Sequence, residues 1–367
     1  MPKSLKVKSI TTWKEYNGRP FIIAGPCSAE SEKQVLETAI GLKKTGKVDV
    51  LRAGIWKPRT RPNSFEGVGS AGLPWLKKAK QETGLPLTIE VANAKHVYEA
   101  LKFGVDILWI GARTAANPFA MQEIATAMEG ADVGVLIKNP INPDLELWVG
   151  AVERVYNAGI RKIGLIHRGF STYEKSRFRN LPQWQIPIEM KSRLPQVSML
   201  NDPSHIGGKR SLLLEIAQKA MDLNYDGLMI ESHINPDAAL SDAQQQVTPT
   251  RLAEILNNLV LREPMTHNDH VKSALDELRN KIDFYDDQLL EIVEQRMEVV
   301  KSIGQIKKEN NMSILQNKRW EEIIYKSIEK GAQKGLSREF INRAFKAIHQ
   351  ESINLQTEIM NDSKVKR

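Results

Sequence analysis

The sequence predicts an α/β protein: a (β/α)8 TIM barrel followed by a C-terminal all-α domain of three helices. Three observations lead to this fold class. Eight short apolar runs alternate with helix-like stretches over about the first 260 residues, and eight strand–helix units in about 250 residues are typical of a closed barrel. The strand pattern stops after Leu261. A length of 367 residues also suits one large barrel with an appended domain.

Each apolar run is nearly continuously hydrophobic, as expected for parallel strands buried on both faces. A doubly wound open sheet is the alternative, but it usually has fewer strands. Helix-like spacing separates the runs, for example from Glu32 to Lys44, from His96 to Phe103 and from Leu212 to Leu223. The predicted strands are 21–25, 48–54, 86–91, 105–111, 133–139, 162–168, 196–202 and 226–232.

The C-terminal part has a helical pattern only. Between Leu275 and Ile306 apolar residues recur at steps of three and four, which predicts one long amphipathic helix. Helices at about 318–334 and 337–361 follow, with Ser337 as N-cap. We therefore expect a barrel domain at 1–262, a linker at 263–271 and a helical domain at 272–367. Since so long a helix cannot easily bury its apolar stripe alone, we expect the domain to form a homodimer.

Composition narrows the class of protein. The net charge of +8 favours anionic partners, but the chain has no polybasic run, so we expect small anionic substrates and no nucleic acid. One cysteine excludes an intramolecular disulfide framework and suits a reducing compartment. No apolar window is long enough for a membrane span, and the N-terminal segment lacks the apolar region of a signal peptide. We expect a cytoplasmic enzyme that does not bind membranes.

Chargeable residues follow nearly every predicted strand, where the active site of a TIM barrel lies. Several are Lys or Arg, which would repel one another unless anions such as phosphate or carboxylate bind between them. Cys27, His205, Glu231 and Asp242 could hold one divalent ion, with Mn²⁺, Fe²⁺, Co²⁺ or Zn²⁺ as candidates. The ordinary alternatives are an inert packed cysteine and plain turn sequences. The residues past the strands are Cys27, Arg52, Lys57, Arg59, Glu90, Arg113, Lys138, His167, Arg168, Asp202, His205, Glu231 and His233.

Eight motifs in residues 15–262 resemble the short type I-beta 3-deoxy-D-arabino-heptulosonate 7-phosphate (DAHP) synthases. They are GPCS (25–28), RAGIWKPRT (52–60), Ala112, Arg113 and Thr114 after Gly111, the lysine of LIKN (136–139), HRG (167–169), DPSH (202–205), ESH (231–233) and SDAQQQ (241–246). The resemblance implies condensation of phosphoenolpyruvate with erythrose 4-phosphate, the first step of the shikimate pathway.

The resemblance also assigns roles to residues. It implies metal binding by Cys27, His205, Glu231 and Asp242, with Mn²⁺ as the expected ion. Erythrose 4-phosphate would meet Lys57, Arg59 and Thr60, and Lys57 would protonate the new alkoxide. The water-activating base stays open among Glu90, His167 and Asp202. Phosphoenolpyruvate would be held by Arg52, Lys57, Arg113, Lys138 and Arg168.

Two alternatives apply to the barrel. The related 3-deoxy-D-manno-octulosonate 8-phosphate synthases share the fold and the phosphoenolpyruvate half, but they carry a different sequence where KPRT (57–60) stands. GVGSAG (67–72) fits the G-x-G-x-x-G string of dinucleotide sites. Because it does not directly follow a strand, we interpret it as a loop over the site.

The helical domain has its own cationic pattern. Arg296 interrupts the apolar stripe, and a buried arginine needs an anionic partner. Lys307 lies on the same helix face, about 16 Å further along the axis, whereas Arg279 lies off that face and would serve the site from another chain. Ser352 and Gln356 form an i, i+4 pair on the last helix. An ion pair within the bundle is the alternative explanation for Arg296.

Residues 272–361 resemble the AroQ-type chorismate mutases, through 278–308, KRW (318–320) and ESINLQ (351–356). The resemblance implies rearrangement of chorismate to prephenate, with Arg296, Lys307 and Gln356 as catalytic residues. The fusion of the two domains leads us to expect feedback inhibition of the barrel by prephenate or chorismate. Trp320 and Gln316 depart from the family's usual Glu and Asp, so a non-catalytic regulatory and dimerisation domain is the alternative. The substrate-binding residues that the chorismate mutase resemblance implies are Arg279, Arg296, Lys307, Arg319, Ser352 and Gln356.

Overall fold

A computed structural model describes residues 5–13, 20–57, 65–173, 175–263 and 265–361. The chain divides into two compact units between residues 264 and 265. The described part contains no helix that is long and apolar enough to span a membrane.

The first unit is a closed barrel of eight parallel strands in the order β1 to β8, with β8 paired back to β1. All eight predicted strands are confirmed, and seven are shorter than predicted. The strands are β1 Phe21–Gly25, β2 Val50–Arg52, β3 Leu87–Val91, β4 Ile107–Ile110, β5 Gly134–Lys138, β6 Ile163–His167, β7 Ser198–Asn201 and β8 Gly227–Glu231.

Aspartates explain why three strands begin later than the apolar pattern suggests. Asp49, Asp106 and Asp226 each stand one residue before a strand. Their carboxylates accept hydrogen bonds from the backbone N–H groups of Ile22, Leu87 and Met199 at 2.7, 2.8 and 2.7 Å. A side chain therefore replaces a backbone acceptor at these strand starts.

Helices surround the barrel, and several begin at side-chain caps. Ser31 and Asn93 accept hydrogen bonds from Gln34 N–H and His96 N–H, as expected for N-caps. Two short helices follow strands β4 and β7 and carry Arg113 and His205. The helices are α1 Glu32–Lys44, α2 Gly72–Thr83, α3 Ala94–Lys102, α4 Ala112–Ala115, α5 Pro118–Ala127, α6 Leu145–Asn157, α7 Gln185–Arg193, α8 Pro203–Gly207, α9 Leu213–Asp222 and α10 Pro249–Asn257.

The second unit consists of α11 Asp269–Glu309, α12 Asn317–Gln333 and α13 Arg338–Asn361. The three predicted helices are confirmed, although α11 begins three residues before 272, inside the expected linker, because Asn268 caps it. Ser337 Oγ accepts from Phe340 N–H at 3.2 Å, as predicted for an N-cap. Gly304 lets α11 approach α13 closely, since a Cβ there would lie 3.2 Å from Gln356 Cγ.

Candidate active sites

Three predicted metal ligands converge at the carboxyl ends of the strands. Cys27 follows β1, Glu231 ends β8, and Asp242 lies in the loop after β8. One ligand atom of each lies within 4.8 Å of the others. Asp242 has a positive φ of 50°, a conformation that aspartate tolerates better than most residues. The long spacing in sequence is thus closed by the barrel itself.

The fourth predicted ligand, His205, joins this group through Glu231. Its Nε2 lies 3.8 Å from Glu231 Oε1, and its Nδ1 lies 2.8 Å from Asp202 Oδ2. Although burial opposes ionisation, His205 and Lys138 hold the pKa of Asp202 well below its usual range. Asp202 is therefore a carboxylate beside the imidazole, in the position from which acids orient metal-bound histidines.

The four side chains fit a divalent transition metal. A thiol, an imidazole and two carboxylates form a mixed donor set suited to a borderline ion. Burial, followed by the Glu231 carboxylate, raises the pKa of the Cys27 thiol to about 12. A divalent ion would reverse that balance, because a coordinating thiol loses its proton to the metal. Lys57 Nζ lies 2.6 Å from Cys27 Sγ, beside the same group.

Two buried cations flank the predicted metal ligands above the ring of Trp109. Arg52 donates to Glu231 Oε1 at 3.1 Å, and Lys138 donates to Asp202 Oδ2 at 2.9 Å. Their charged groups lie 4.9 and 5.9 Å from the centre of the Trp109 ring. Arg52 Nε and Nη1 are buried and find no hydrogen-bond partner among the described residues. Buried unpaired donors of this kind favour an anionic ligand.

Arg168 and Arg113 occupy different settings. Arg168 is buried, its Nη1 donates to Asn180 Oδ1 at 2.8 Å, and burial lowers its pKa to about 10. Arg113 lies exposed on α4. The remaining two predicted substrate contacts of the barrel, Arg59 and Thr60, lie outside the described residues.

His167 does not have the environment of a catalytic base. It is fully buried, its Nε2 donates to the Pro182 carbonyl at 2.6 Å, and Tyr225 Oη lies 3.1 Å from Nδ1. Burial lowers its pKa to about 3. The imidazole is thus a neutral structural group, and His167 is no longer a candidate for the water-activating base.

Sequence reasoning missed two polar residues that contact the metal ligands. Arg179 Nη1 lies 2.9 Å from Asp242 Oδ1, and Gln245 Nε2 donates to Glu231 Oε2 at 2.7 Å. Gln245 belongs to the SDAQQQ run that carried the resemblance, so its position was a usable signal. Arg179 stands twelve residues past the end of β6, where a rule based on strand ends could not find it.

The helical unit brings four predicted residues together. Arg296 Nη1 donates to Ser352 Oγ at 2.7 Å, and Gln356 Nε2 donates to the Ser352 carbonyl at 3.2 Å. Lys307 Nζ donates to the Ile314 carbonyl at 2.5 Å. Burial lowers the pKa of both Arg296 and Lys307. Gln356 Oε1 is buried without a partner in the described part of the chain. These residues form a partly buried cationic group without an acidic residue in these contacts.

Arg279 and Arg319 do not contact this group within the described chain. Each is exposed and pairs with an acid one turn away, Arg279 with Asp276 at 2.9 Å and Arg319 with Glu322 at 3.2 Å. Trp320, one of the departures from the family pattern, stacks on His349 with ring centres 3.8 Å apart. Arg296 and Lys307 add to burial in lowering the pKa of His349, so the stack lies near both cations.

Comparison with known proteins identifies the family of each domain. The sequence model of the DAHP synthetase I family matches residues 7–264. The chain belongs to this family. The model of chorismate mutase type II matches residues 278–357, which covers most of α11, all of α12 and most of α13. The chain is therefore a DAHP synthase fused to a chorismate mutase domain, and the two domains support both enzyme activities.

Two curated relatives and one solved structure are similar to the barrel domain. Phospho-2-dehydro-3-deoxyheptonate aldolase of Thermotoga maritima is 36% identical over 244 residues, which cover 66% of this chain and 70% of that protein. The crystal structure of the Thermotoga maritima DAHP synthase superposes with a TM-score of 0.59 at 32% identity, covering 66% of this chain and 68% of that chain. The 2-dehydro-3-deoxyphosphooctonate aldolase of Vesicomyosocius okutanii is 29% identical, covering 65% of this chain and 89% of that protein.

Proposed function

We propose that Cys27, His205, Glu231 and Asp242 bind one Mn²⁺ ion and that the cations around them bind the two anionic substrates of the barrel. The observation that carries the proposal is the convergence of a thiol and two carboxylates within 4.8 Å beside the unpaired buried donors of Arg52. A divalent ion held there supplies a Lewis acid for the aldehyde carbonyl of erythrose 4-phosphate.

The chain's own residues position the reacting groups. Arg52, Lys57, Arg113, Lys138 and Arg168 hold the phosphate and carboxylate of phosphoenolpyruvate, so that its C3 faces the aldehyde. Arg59 and Thr60 bind the phosphate of erythrose 4-phosphate. The Lys57 ammonium, 2.6 Å from Cys27 Sγ, protonates the alkoxide that forms when C3 attacks the aldehyde. The attack leaves a positive charge at C2, water adds there and loses a proton, and phosphate leaves as the C2 hydroxyl loses its proton and becomes the ketone.

The test of this assignment is phosphate release by the full-length chain. After removal of metal by chelation, phosphate release from the two substrates should stop, and Mn²⁺ should restore it. A Cys27→Ala variant should lose most Mn²⁺ binding and the restored rate, while its chorismate conversion stays at the unaltered level. Full activity of the stripped chain, with no Mn²⁺ bound, would refute the assignment.

We propose for the helical domain that Arg296 and Lys307 bind the carboxylates and ether oxygen of chorismate with Ser352 and Gln356. The rearrangement needs no nucleophile, because a fixed reactive conformation and cations at the breaking ether bond are sufficient. Lys307 and Gln356 flank the ether oxygen in this assignment. The partial burial of Arg296 and Lys307 supports the proposal, since partly desolvated cations interact more strongly with an anion.

Chorismate consumption with prephenate formation tests this second activity. An Arg296→Ala variant should lose most of the turnover, whereas Arg343→Ala, which removes an exposed arginine paired with Glu339, should retain it. Absence of turnover in the unaltered chain, with the barrel still active, would leave the alternative of a regulatory and dimerisation domain.

We also propose that the helical domain forms a homodimer in which Arg279 and Arg319 complete the site. Arg279 is supplied by the partner subunit in this arrangement. Apolar residues along α11 support it, since Leu278, Ile282, Leu289 and Ile292 are all more than half exposed, and large exposed apolar patches mark interaction surfaces. Sedimentation should show a dimer that an Ile282→Lys, Leu289→Lys double variant converts to monomer. A monomeric unaltered chain would refute it.

We further propose that the protein is cytoplasmic and that the product of the helical domain inhibits the barrel reaction. The fusion of an early and a later step of one pathway favours prephenate as an inhibitor of the barrel reaction. Phosphate release measured with increasing prephenate should fall in the unaltered chain and stay constant in Arg296→Ala. An unchanged rate in the unaltered chain would refute feedback by prephenate.

A further inference from the structure

Hydrogen bonds connect three of the four predicted ligands, Cys27, Glu231 and Asp242, to the consecutive glutamines Gln245 and Gln246, either directly or through Arg179. Gln245 is 1% exposed and uses both ends of its amide. Its Nε2 donates to Glu231 Oε2 at 2.7 Å, and its Oε1 accepts from Arg179 Nη1 at 2.7 Å. Arg179 Nη1 also donates to Asp242 Oδ1 at 2.9 Å. One amide and one guanidinium thus join the carboxylates of Glu231 and Asp242.

The next residue reaches the third ligand from the other side. Gln246 is fully buried, and its Oε1 accepts from the backbone N–H of Cys27 at 2.9 Å. Its Nε2 donates to the Ser241 carbonyl at 2.8 Å, next to Asp242. The backbone N–H of Gln245 also donates to the Asp242 carbonyl at 3.1 Å. Consecutive glutamines therefore orient groups that come from β1, β8 and the loop after β8.

We propose that Gln245 is a positioning residue for the metal site. It holds the Glu231 and Asp242 carboxylates at the spacing that one divalent ion requires. This inference rests on the proposed metal site. The physical reason is that two carboxylates close together repel each other. Gln245 donates to Glu231, and Arg179 donates to both Gln245 and Asp242. These hydrogen bonds reduce the rotation of both carboxylates. Partners of this kind change metal affinity by about 10–100-fold when they are removed.

The test compares two neighbouring glutamines. Gln245→Leu removes both amide contacts at nearly constant volume, and Gln244→Leu removes an exposed glutamine as a matched control. Mn²⁺ binding to the metal-free full-length chain is followed by the electron paramagnetic resonance signal of free Mn²⁺. Binding of Co²⁺ is followed by the thiolate-to-cobalt absorption band. Circular dichroism melting of the metal-free variants reports whether they fold.

The expected result is a Mn²⁺ dissociation constant about 10–100-fold higher in Gln245→Leu, with Gln244→Leu within twofold of the unaltered chain. The cobalt–thiolate band should persist at saturating Co²⁺, because Cys27 is held by Gln246. Equal dissociation constants in all three folded chains would overturn the positioning role and leave the metal site intact. If the unaltered chain binds no Mn²⁺, the metal assignment fails, and this inference fails with it.

If Gln245→Leu does not fold, a second variant keeps the question open to experiment. Arg179→Gln cuts the same connection from its half-exposed end, and the same Mn²⁺ and Co²⁺ measurements apply. A dissociation constant raised at least fivefold would support the inference, and an unchanged one would overturn it.

Discussion

Replacing Arg52 by methionine tests how the charges of the barrel mouth are balanced. Arg52 and Glu231 are 2% and 0% exposed, and their charged atoms lie 3.1 Å apart. Removal of one partner of a buried pair leaves the other charge without compensation, at about 3–5 kcal/mol. The metal-free Arg52→Met chain should therefore lose about that much unfolding free energy in urea titrations. Arg177→Met, at an exposed pair with Glu215, should lose less than about 1 kcal/mol.

Mn²⁺ should reduce the deficit of Arg52→Met. In the variant, the ion replaces the positive charge that Arg52 placed beside Glu231, so its binding becomes tighter. By linkage, each tenfold fall in the dissociation constant restores about 1.4 kcal/mol of unfolding free energy. Two results would refute the reasoning: a metal-free deficit as small as that of Arg177→Met, or a deficit that does not respond to saturating Mn²⁺.

Two further predictions concern groups behind the site. Because the pKa of His167 falls from 6.5 to about 3 on folding, its unfolded form binds a proton first, and the unfolding free energy is lost as pH falls below 6.5. The loss from this group reaches about 2 kcal/mol at pH 5. Urea titrations of His167→Gln at pH 7 and pH 5 should show a drop smaller by this amount, and equal drops would contradict a neutral imidazole. A Cβ on Gly111 would lie 2.0 Å from Glu90 Oε1, so Gly111→Ala should push the Glu90 side chain off its rotamer and lower the unfolding free energy by about 0.5–1.5 kcal/mol. Gly150→Ala, whose Cβ would meet only the flexible end of Arg154 at 3.1 Å, is the control, and equal stabilities would show that Glu90 moves freely.

The architecture could be predicted because parallel strands buried on both faces are apolar along their whole length. The runs at 133–139 and 162–168 differ from β5 and β6 by only one residue at each end. The run at 48–54 is too long at both ends: Asp49 contributes its side chain to Ile22 N–H directly before the strand, and the strand itself covers only Val50–Arg52. Hydrophobic pattern alone does not record which partner a backbone group takes.

The candidate sites could be predicted in their charged residues and less well in the groups that hold them. Lys138 was found because it ends a strand. The environment of His167 could not be inferred, since the same position after β6 suits a catalytic or a buried imidazole. Tyr225, which faces it, lies far along the sequence. Arg296 and Ser352 were found because helical periodicity places residues on one face. Their contact across α11 and α13 required the folded unit.

The position of the Trp109 indole determines where substrates can enter the barrel and where products can leave it. Together with Ile107, Leu136, Ile166 and Met229 it fills the inside of the barrel beneath the two cations. A filled barrel is a plug and not a channel. In the described part of the barrel, this packing leaves the carboxyl ends of the strands as the route by which phosphoenolpyruvate, the aldehyde, water, free phosphate and the sugar product would enter and leave. The sugar product and phosphate must therefore leave by this route before the next pair of substrates can bind.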